Sequence, residues 1–69
     1  MLNAKLLKSI MVANGDDSYV TALSKVIGVN RVTAGQKLNG KSQFTQKEIS
    51  AVMNHYNLTG DEIKEIFLN

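Results

Sequence analysis

The sequence predicts an all-α protein with five helices, folded as a single domain over residues 1–69. Apolar residues recur at spacings of three and four, which is the period of a helix that buries one face. Short polar breaks separate these patterns, and two of the breaks carry the Thr-x-x-Glu spacing that is typical of a helix N-terminus. No segment alternates with the period of two that a half-buried strand requires, so we expect no strand.

The first helix is predicted over residues 3–13, where Leu6, Ile10 and Ala13 share one face and Leu7 and Met11 lie beside it. Asn14-Gly15 ends this helix, because glycine just beyond a helix end adopts a left-handed backbone conformation without a steric penalty. The break therefore separates the first helix from an independent second one.

The second helix is predicted to start after a cap at Asp17 or Ser18, whose side-chain oxygen can accept a hydrogen bond from a free backbone N–H. It carries Leu23 and Ile27 on one face. Gly28 ends it in the same way as the first helix.

The remaining three helices are predicted from their caps. Asn30 caps a third helix of about nine residues, which stops at Asn39-Gly40. Thr45 and Glu48 form a capping box that opens the fourth helix, and the segment 59–62 forms a second box that opens a short fifth helix. The predicted buried face of the fourth helix consists of Ile49, Val52, Met53 and Tyr56.

The composition excludes several kinds of site. There is no cysteine, and the one histidine, His55, is too few for a structural zinc site. We find no nucleophile–base pair and no phosphate-cradling glycine loop, so we expect neither enzymatic activity nor a cofactor. No apolar run approaches the roughly 20 residues of a membrane span, and Lys5 and Lys8 interrupt the apolar start where a signal peptide would not. These features favour a cytoplasmic protein with no membrane partner.

Basic residues are concentrated in the middle of the chain. Residues 18–47 contain five basic and no acidic residues, whereas residues 48–69 contain four acidic and one basic. Residues 1–17 contain two of each. This distribution is typical of a surface that binds a polyanion, although a randomly charged solvated surface would give a similar count.

Residues 20–40 have the spacing of a helix-turn-helix. Gly28 lies in a three-residue turn that needs a left-handed conformation, and the small Ser24 lies where the second helix of such a pair crosses closely. Ala34 and Leu38 anchor that second helix. Gly35 lies in the middle of it, at a cost of roughly 1 kcal/mol relative to alanine, and the pair Ala34-Gly35 could instead permit a close approach between helices.

Four segments carry a resemblance to a known family. They are Leu23-Ser24, Ile27-Gly28-Val29-Asn30-Arg31, Lys37-Leu38-Asn39-Gly40-Lys41 and Phe44-Thr45-Gln46-Lys47-Glu48-Ile49. In these segments the sequence resembles the lambda-repressor-like family, and within it the short Cro and repressor domains of bacteriophages. The resemblance covers nearly the whole chain. It implies a compact five-helix domain and a sequence-specific transcriptional repressor that occupies operator DNA in the bacterial cytoplasm.

The resemblance implies that the start of the third helix meets base edges in the major groove. The candidates for base reading are Arg31, Val32 and Gln36, with Thr33 as a weaker one. Arginine can donate to guanine, glutamine can pair with adenine, and valine can contact a thymine methyl group. Two alternatives stay open, because Arg31 could serve only a phosphate and Val32 could belong to the core.

The resemblance also implies that the following loop lies over the phosphate backbone. The candidates for phosphate contact are Asn39, Lys41, Ser42, Gln43, Thr45 and Lys47. Lysines attract phosphates, and the start of the fourth helix can offer backbone N–H groups. An ordinary polar loop is the alternative.

The end of the chain predicts a weak homodimer. Ile66, Phe67 and Leu68 lie close together near the C-terminus, and an exposed apolar patch commonly marks an interaction surface. These side chains could instead close the core of the monomer. Besides a second copy, the expected partner is double-stranded operator DNA, and no small-molecule ligand is expected. The alternative function is a protein-interaction regulator or an antitoxin-like domain, which would present an apolar rather than a basic face.

Overall fold

The computed structural model describes residues 2–68, and within them the chain forms five helices and no strand. The helices are α1 (Ala4–Ala13), α2 (Tyr19–Ile27), α3 (Arg31–Leu38), α4 (Gln46–Tyr56) and α5 (Gly60–Phe67). The predicted all-α architecture with five helices is therefore confirmed. None of the helices in residues 2–68 combines the length and the apolar character needed to cross a membrane.

Every helix begins at a residue whose side chain accepts a hydrogen bond from a backbone N–H of the first turn. The capping residues are Asn3, Ser18, Asn30, Thr45 and Thr59. Ser18, and not Asp17, is thus the cap of α2. Both predicted capping boxes form completely, with glutamate side chains accepting from the N–H groups of the capping threonines.

A three-residue turn, 28–30, connects α2 to α3. Gly28 has a φ angle of +72°, in the left-handed region that favours glycine. The N–H groups of Gly28 and Val29 both donate to the carbonyl oxygen of Ser24, at 3.0 and 3.1 Å. These two bonds satisfy the end of α2 and fix the direction in which the chain enters α3.

α2 lies at the centre of the fold and packs against α1, α3 and α4, while α5 packs against α1 and α4. The buried apolar side chains form one cluster, which consists of Leu7, Met11, Leu23, Ala34, Leu38, Val52, Tyr56, Leu58 and Ile66. The buried face of α4 is narrower than predicted: Val52 and Tyr56 are buried, whereas Met53 is 37% exposed.

Two hydrogen bonds tie distant segments to this core. The Tyr56 hydroxyl donates to Asp16 Oδ2 at 2.6 Å, which joins the end of α4 to the segment between α1 and α2. Burial raises the pKa of Tyr56, and the hydrogen bond to the Asp16 carboxylate raises it further. The N–H of Asn3 donates to the carbonyl oxygen of Ile66 at 2.7 Å, which joins the start of α1 to α5.

Gly35 does not serve a close approach between helices. A Cβ atom built on Gly35 meets nothing within 4 Å, so no neighbouring helix in residues 2–68 needs the missing side chain. The expectation that Ala34-Gly35 brings two helices together is therefore wrong for Gly35. Ala34, in contrast, is fully buried, as its anchoring role predicts.

Alanine substitutions at Gly28 and Gly35 should change the free energy of unfolding in opposite directions. Gly35→Ala should raise the free energy of unfolding by up to about 1 kcal/mol, since helix propensity is the only term that changes. Gly28→Ala should lower it by about 1–2 kcal/mol, because Gly28 has positive φ although its Cβ position is equally open. Urea unfolding of both variants measures the two changes. A loss of stability in Gly35→Ala would contradict the open surroundings of that residue.

Candidate nucleic-acid interface

α3 has one buried face and one exposed face. Ala34 and Leu38 are buried against the rest of the protein, because they are the apolar residues spaced four apart. Arg31, Val32 and Gln36 are exposed. Since successive residues are 100° apart around a helix, Val32 and Gln36 lie opposite the buried stripe and Arg31 lies at the edge of the exposed side, so the three span a sector of about 140°.

The structure resolves one of the alternatives left open for this face. Val32 is 71% exposed, so it does not belong to the core. Thr33 is half-buried, and its N–H donates to Asn30 Oδ1 at 2.8 Å. Three of the four candidates for base reading are therefore exposed together, and Thr33 is partly withdrawn from the surface.

The loop after α3 is wound back against the helix end. The N–H groups of Lys41 and Ser42 both donate to the carbonyl oxygen of Gln36, at 2.9 and 3.3 Å. Asn39, Lys41 and Gln43 are exposed, and Ser42 is half-buried. The loop thus begins against the last turn of α3, and three of its four candidate phosphate-binding side chains are exposed.

The capping box limits what the start of α4 can offer to an anion. The N–H of Thr45 donates to Glu48 Oε1 at 2.9 Å, and the N–H of Glu48 donates to Thr45 Oγ1 at 3.1 Å. The backbone N–H of Thr45 is therefore committed to Glu48, contrary to the expectation that it is available to a phosphate. Gln46 and Lys47 lie in the first turn of α4, where the helix supplies no carbonyl oxygen to accept from their N–H groups. The Lys47 side chain is exposed.

Lys37 behaves differently from the other basic residues of the central segment. It is only 6% exposed, and its ammonium nitrogen lies 2.8 Å from Glu48 Oε1 and 2.8 Å from the carbonyl oxygen of Gln43. Its charge is thus neutralised inside the protein and does not contribute to the exposed basic surface. Of the five basic residues in the segment 18–47, four are therefore exposed.

The helical phase of Lys37 could have revealed its position. Lys37 follows Ala34 by three residues and directly precedes Leu38, so it belongs to the buried stripe of α3. Glu48, at the third position of a capping box, points back toward the same place. Counting charge along the chain ignores this phase, which is why sequence reasoning placed Lys37 with the exposed cations.

Two opposing effects act on the Glu48 carboxyl group. Burial alone would raise its pKa, but the hydrogen bonds from Lys37 and from the N–H of Thr45, together with the positive charge of Lys37, lower it. The net result is a pKa below the ordinary value of 4.5. The carboxylate therefore stays ionised in the folded protein and keeps its two donors.

The predicted dimer contacts have different surroundings in the structure. Ile66 is fully buried in the core, so its assignment to a dimer surface is wrong. Phe67 is half-buried and packs edge to face against Phe44, with the ring centres 4.9 Å apart. Leu68 is 71% exposed beside an open groove whose apolar lining also includes Leu2 and Phe44.

Among residues 2–68, no three His, Asp or Glu side chains converge in a way that could hold a metal ion. A comparison of the chain with protein-family models, with curated proteins and with solved structures gives no match. The chemistry of this surface therefore rests on its own side chains and their geometry.

The Lys37–Glu48 pair should make the stability of the protein sensitive to acid. Because the pKa of Glu48 is lowered on folding, its contribution is complete above pH 4.5 and is lost as the pH falls through the lower folded pKa. Urea unfolding between pH 7 and pH 3 should show this loss. Glu48→Gln should reduce it, whereas Glu65→Gln, at an exposed position on α5, should leave it in place. An equal acid dependence in parent and Glu48→Gln would contradict the pairing.

Proposed function

We propose that this protein is a sequence-specific, double-stranded DNA-binding transcriptional repressor of the Cro type. In this proposal α2 and α3 form a lambda-repressor-like helix-turn-helix, and α3 enters the major groove. A helix with its side chains is about 10–12 Å across, which suits a groove about 12 Å wide.

The observation that carries the proposal is the exposed face of α3. Arg31, Val32 and Gln36 share one sector of a helix whose other side is anchored in the core. They offer a guanidinium group, a small apolar group and an amide, which are the chemistries that read guanine, the thymine methyl group and adenine. Gly35 lies within this sector and adds no side chain that would hold the helix away from the groove.

The surroundings of this face suit a phosphate backbone. Lys41 in the loop and Lys47 on α4 are exposed cations, and the loop adds the polar side chains Asn39 and Gln43. Such groups fix the register of a protein on DNA without reading sequence. With the charge of Lys37 paired internally, Lys41 and Lys47 supply the electrostatic part of the proposed contact.

The proposed mechanism is occupancy of an operator. A bound domain excludes RNA polymerase from an overlapping promoter, so no catalytic step is required. The protein would act in the cytoplasm of a bacterial host, where the nucleoid provides the DNA.

Substitutions on the α3 face should affect affinity and sequence preference together. Arg31→Ala and Gln36→Ala should each weaken binding to a duplex selected from random sequence by about 1–3 kcal/mol and relax the preference at one base pair. Lys64→Ala and Asn54→Ala, at exposed positions on α5 and α4, are the matched controls. Titrations at fixed salt measure the affinities. If both α3 variants bind selected and random duplexes as the parent does, α3 is not the reading helix.

The proposal includes a weak homodimer on operator half-sites about 34 Å apart. It rests on Leu68 and on the Leu2 and Phe67 side chains of the open groove beside it; Ser42 and Gln43 also line this groove and are left to the phosphate backbone in the proposal. A two-fold interface joins one patch to its own copy, and a protruding apolar side chain next to a groove with apolar side chains in its wall can satisfy that condition. The same groove is the feature that favours the alternative, a regulator that binds another protein.

Leu68→Asp tests the dimer. Leu68 is largely exposed, so the thermal midpoint should change little, while binding to a full operator should become weaker and less cooperative. Val12→Asp is the control, because Val12 is also exposed, at 57%, and does not line the groove. Parental cooperativity in Leu68→Asp would rule out this interface. Failure of the parent to bind any duplex at low salt would instead favour the protein-interaction alternative.

A further inference from the structure

Lys37 is the one charged side chain that is buried among residues 2–68. Its ammonium group lies between α3, the loop that follows α3, and the first turn of α4. Nζ donates to the carbonyl oxygen of Gln43 and to Glu48 Oε1, both at 2.8 Å, and lies 5.8 Å from the centre of the Phe44 ring. One group of α3 thus contacts both segments that succeed it.

Glu48 extends this connection to the cap of α4. The same oxygen, Oε1, accepts from Lys37 Nζ at 2.8 Å and from the N–H of Thr45 at 2.9 Å. The position of the α4 N-terminus is therefore tied to α3 through one carboxylate. A change at Lys37 acts on the loop through Gln43 and on the helix start through Glu48.

Stability alone does not account for a lysine at this position. Burying a charge is costly, and buried ion pairs can often be replaced by apolar residues without a loss of stability. An apolar side chain such as methionine could fill a comparable space between α3 and Phe44. It could not donate to the carbonyl oxygen of Gln43, and it could not hold the Glu48 carboxylate.

The segment that Lys37 holds has no regular structure of its own. Residues 41–45 lie between the last turn of α3 and the first of α4, and they form neither helix nor strand. Backbone hydrogen bonds fix the beginning of this segment through Lys41 and Ser42. In its second half, the carbonyl oxygen of Gln43 accepts from Lys37 Nζ, and the N–H of Thr45 donates to Glu48 Oε1.

We propose that Lys37 is a positioning residue, which holds the second half of the 41–45 loop and the start of α4 in one arrangement relative to α3. Its consequence for DNA rests on the function proposed above: the neutral phosphate contacts of Gln43 and of the N–H groups that begin α4 depend on Lys37, although Lys37 itself meets no phosphate, whereas Lys41 is held by its own backbone bond to Gln36. The geometry thereby couples the backbone-binding segment to the reading helix.

The test compares Lys37→Met with Lys41→Ala. Each variant removes one lysine charge, which is buried at Lys37 and exposed at Lys41. Lys37→Met should bind a selected duplex about tenfold more weakly because neutral backbone contacts are lost, while its log–log salt slope stays that of the parent because the lysine–phosphate contacts are kept. Lys41→Ala should lower the slope by about one unit for each protomer contact. Circular dichroism confirms that each variant is folded at the temperature used.

A second readout needs no DNA. In the ¹⁵N-labelled protein, Lys37→Met should shift the amide resonances of residues 43–48 and leave those of α1 and α5 near their parental positions. The double variant Lys37→Met/Glu48→Gln, which leaves no unpaired carboxylate, should show the same local shifts and remains usable if the single variant unfolds.

Three results would overturn the inference. If folded Lys37→Met binds the selected duplex with the affinity of the parent, the Lys37–Glu48 pair serves only to stabilise the fold. If its salt slope falls by about one unit, Lys37 contacts a phosphate directly. Unchanged resonances at residues 43–48 would show that the loop holds its shape without Lys37. If the parent binds no duplex, the proposed function fails, and the resonances still decide whether Lys37 positions the loop.

Discussion

The burial of one face of α3 is the constraint on which the proposed surface depends. α3 has eight residues, and an isolated helix of that length is not stable in water. It exists because Ala34 and Leu38 are buried in the same core as Leu23 of α2. This anchoring sets the rotation of α3 about its axis, so Arg31 and Gln36 face outward as a consequence of packing and not of their own chemistry.

Much of the fold follows from local signals in the sequence. Thr45 and Thr59 begin helices because a glutamate three residues later completes each capping box, and Gly28 ends α2 because its φ angle is positive. These features depend on residues within one turn of each other. The outward position of Val32 could be predicted in the same way, from its phase relative to Ala34 and Leu38.

Features that depend on distant segments were predicted less well. The burial of Ile66 depends on how α5 meets α1 and α4, which its own short pattern does not specify. The pairing of Lys37 with Glu48 joins residues eleven apart across a loop, so a count of basic residues missed it. The open space around Gly35 likewise depends on where neighbouring helices lie. The exposed basic surface is consequently smaller, and its loop more firmly held, than the charge pattern indicates.

The most direct test of the account is a map of the protein surface that meets DNA. Titration of the ¹⁵N-labelled protein with a mixed-sequence duplex at low salt, followed by a selected duplex, reports the contact residue by residue. The account predicts that the amides of Arg31, Val32 and Gln36 and of residues 41–47 shift most, and that those of residues 61–65 on acidic α5 shift little. Shifts centred on α5, with the α3 face and residues 41–47 unchanged, would contradict it.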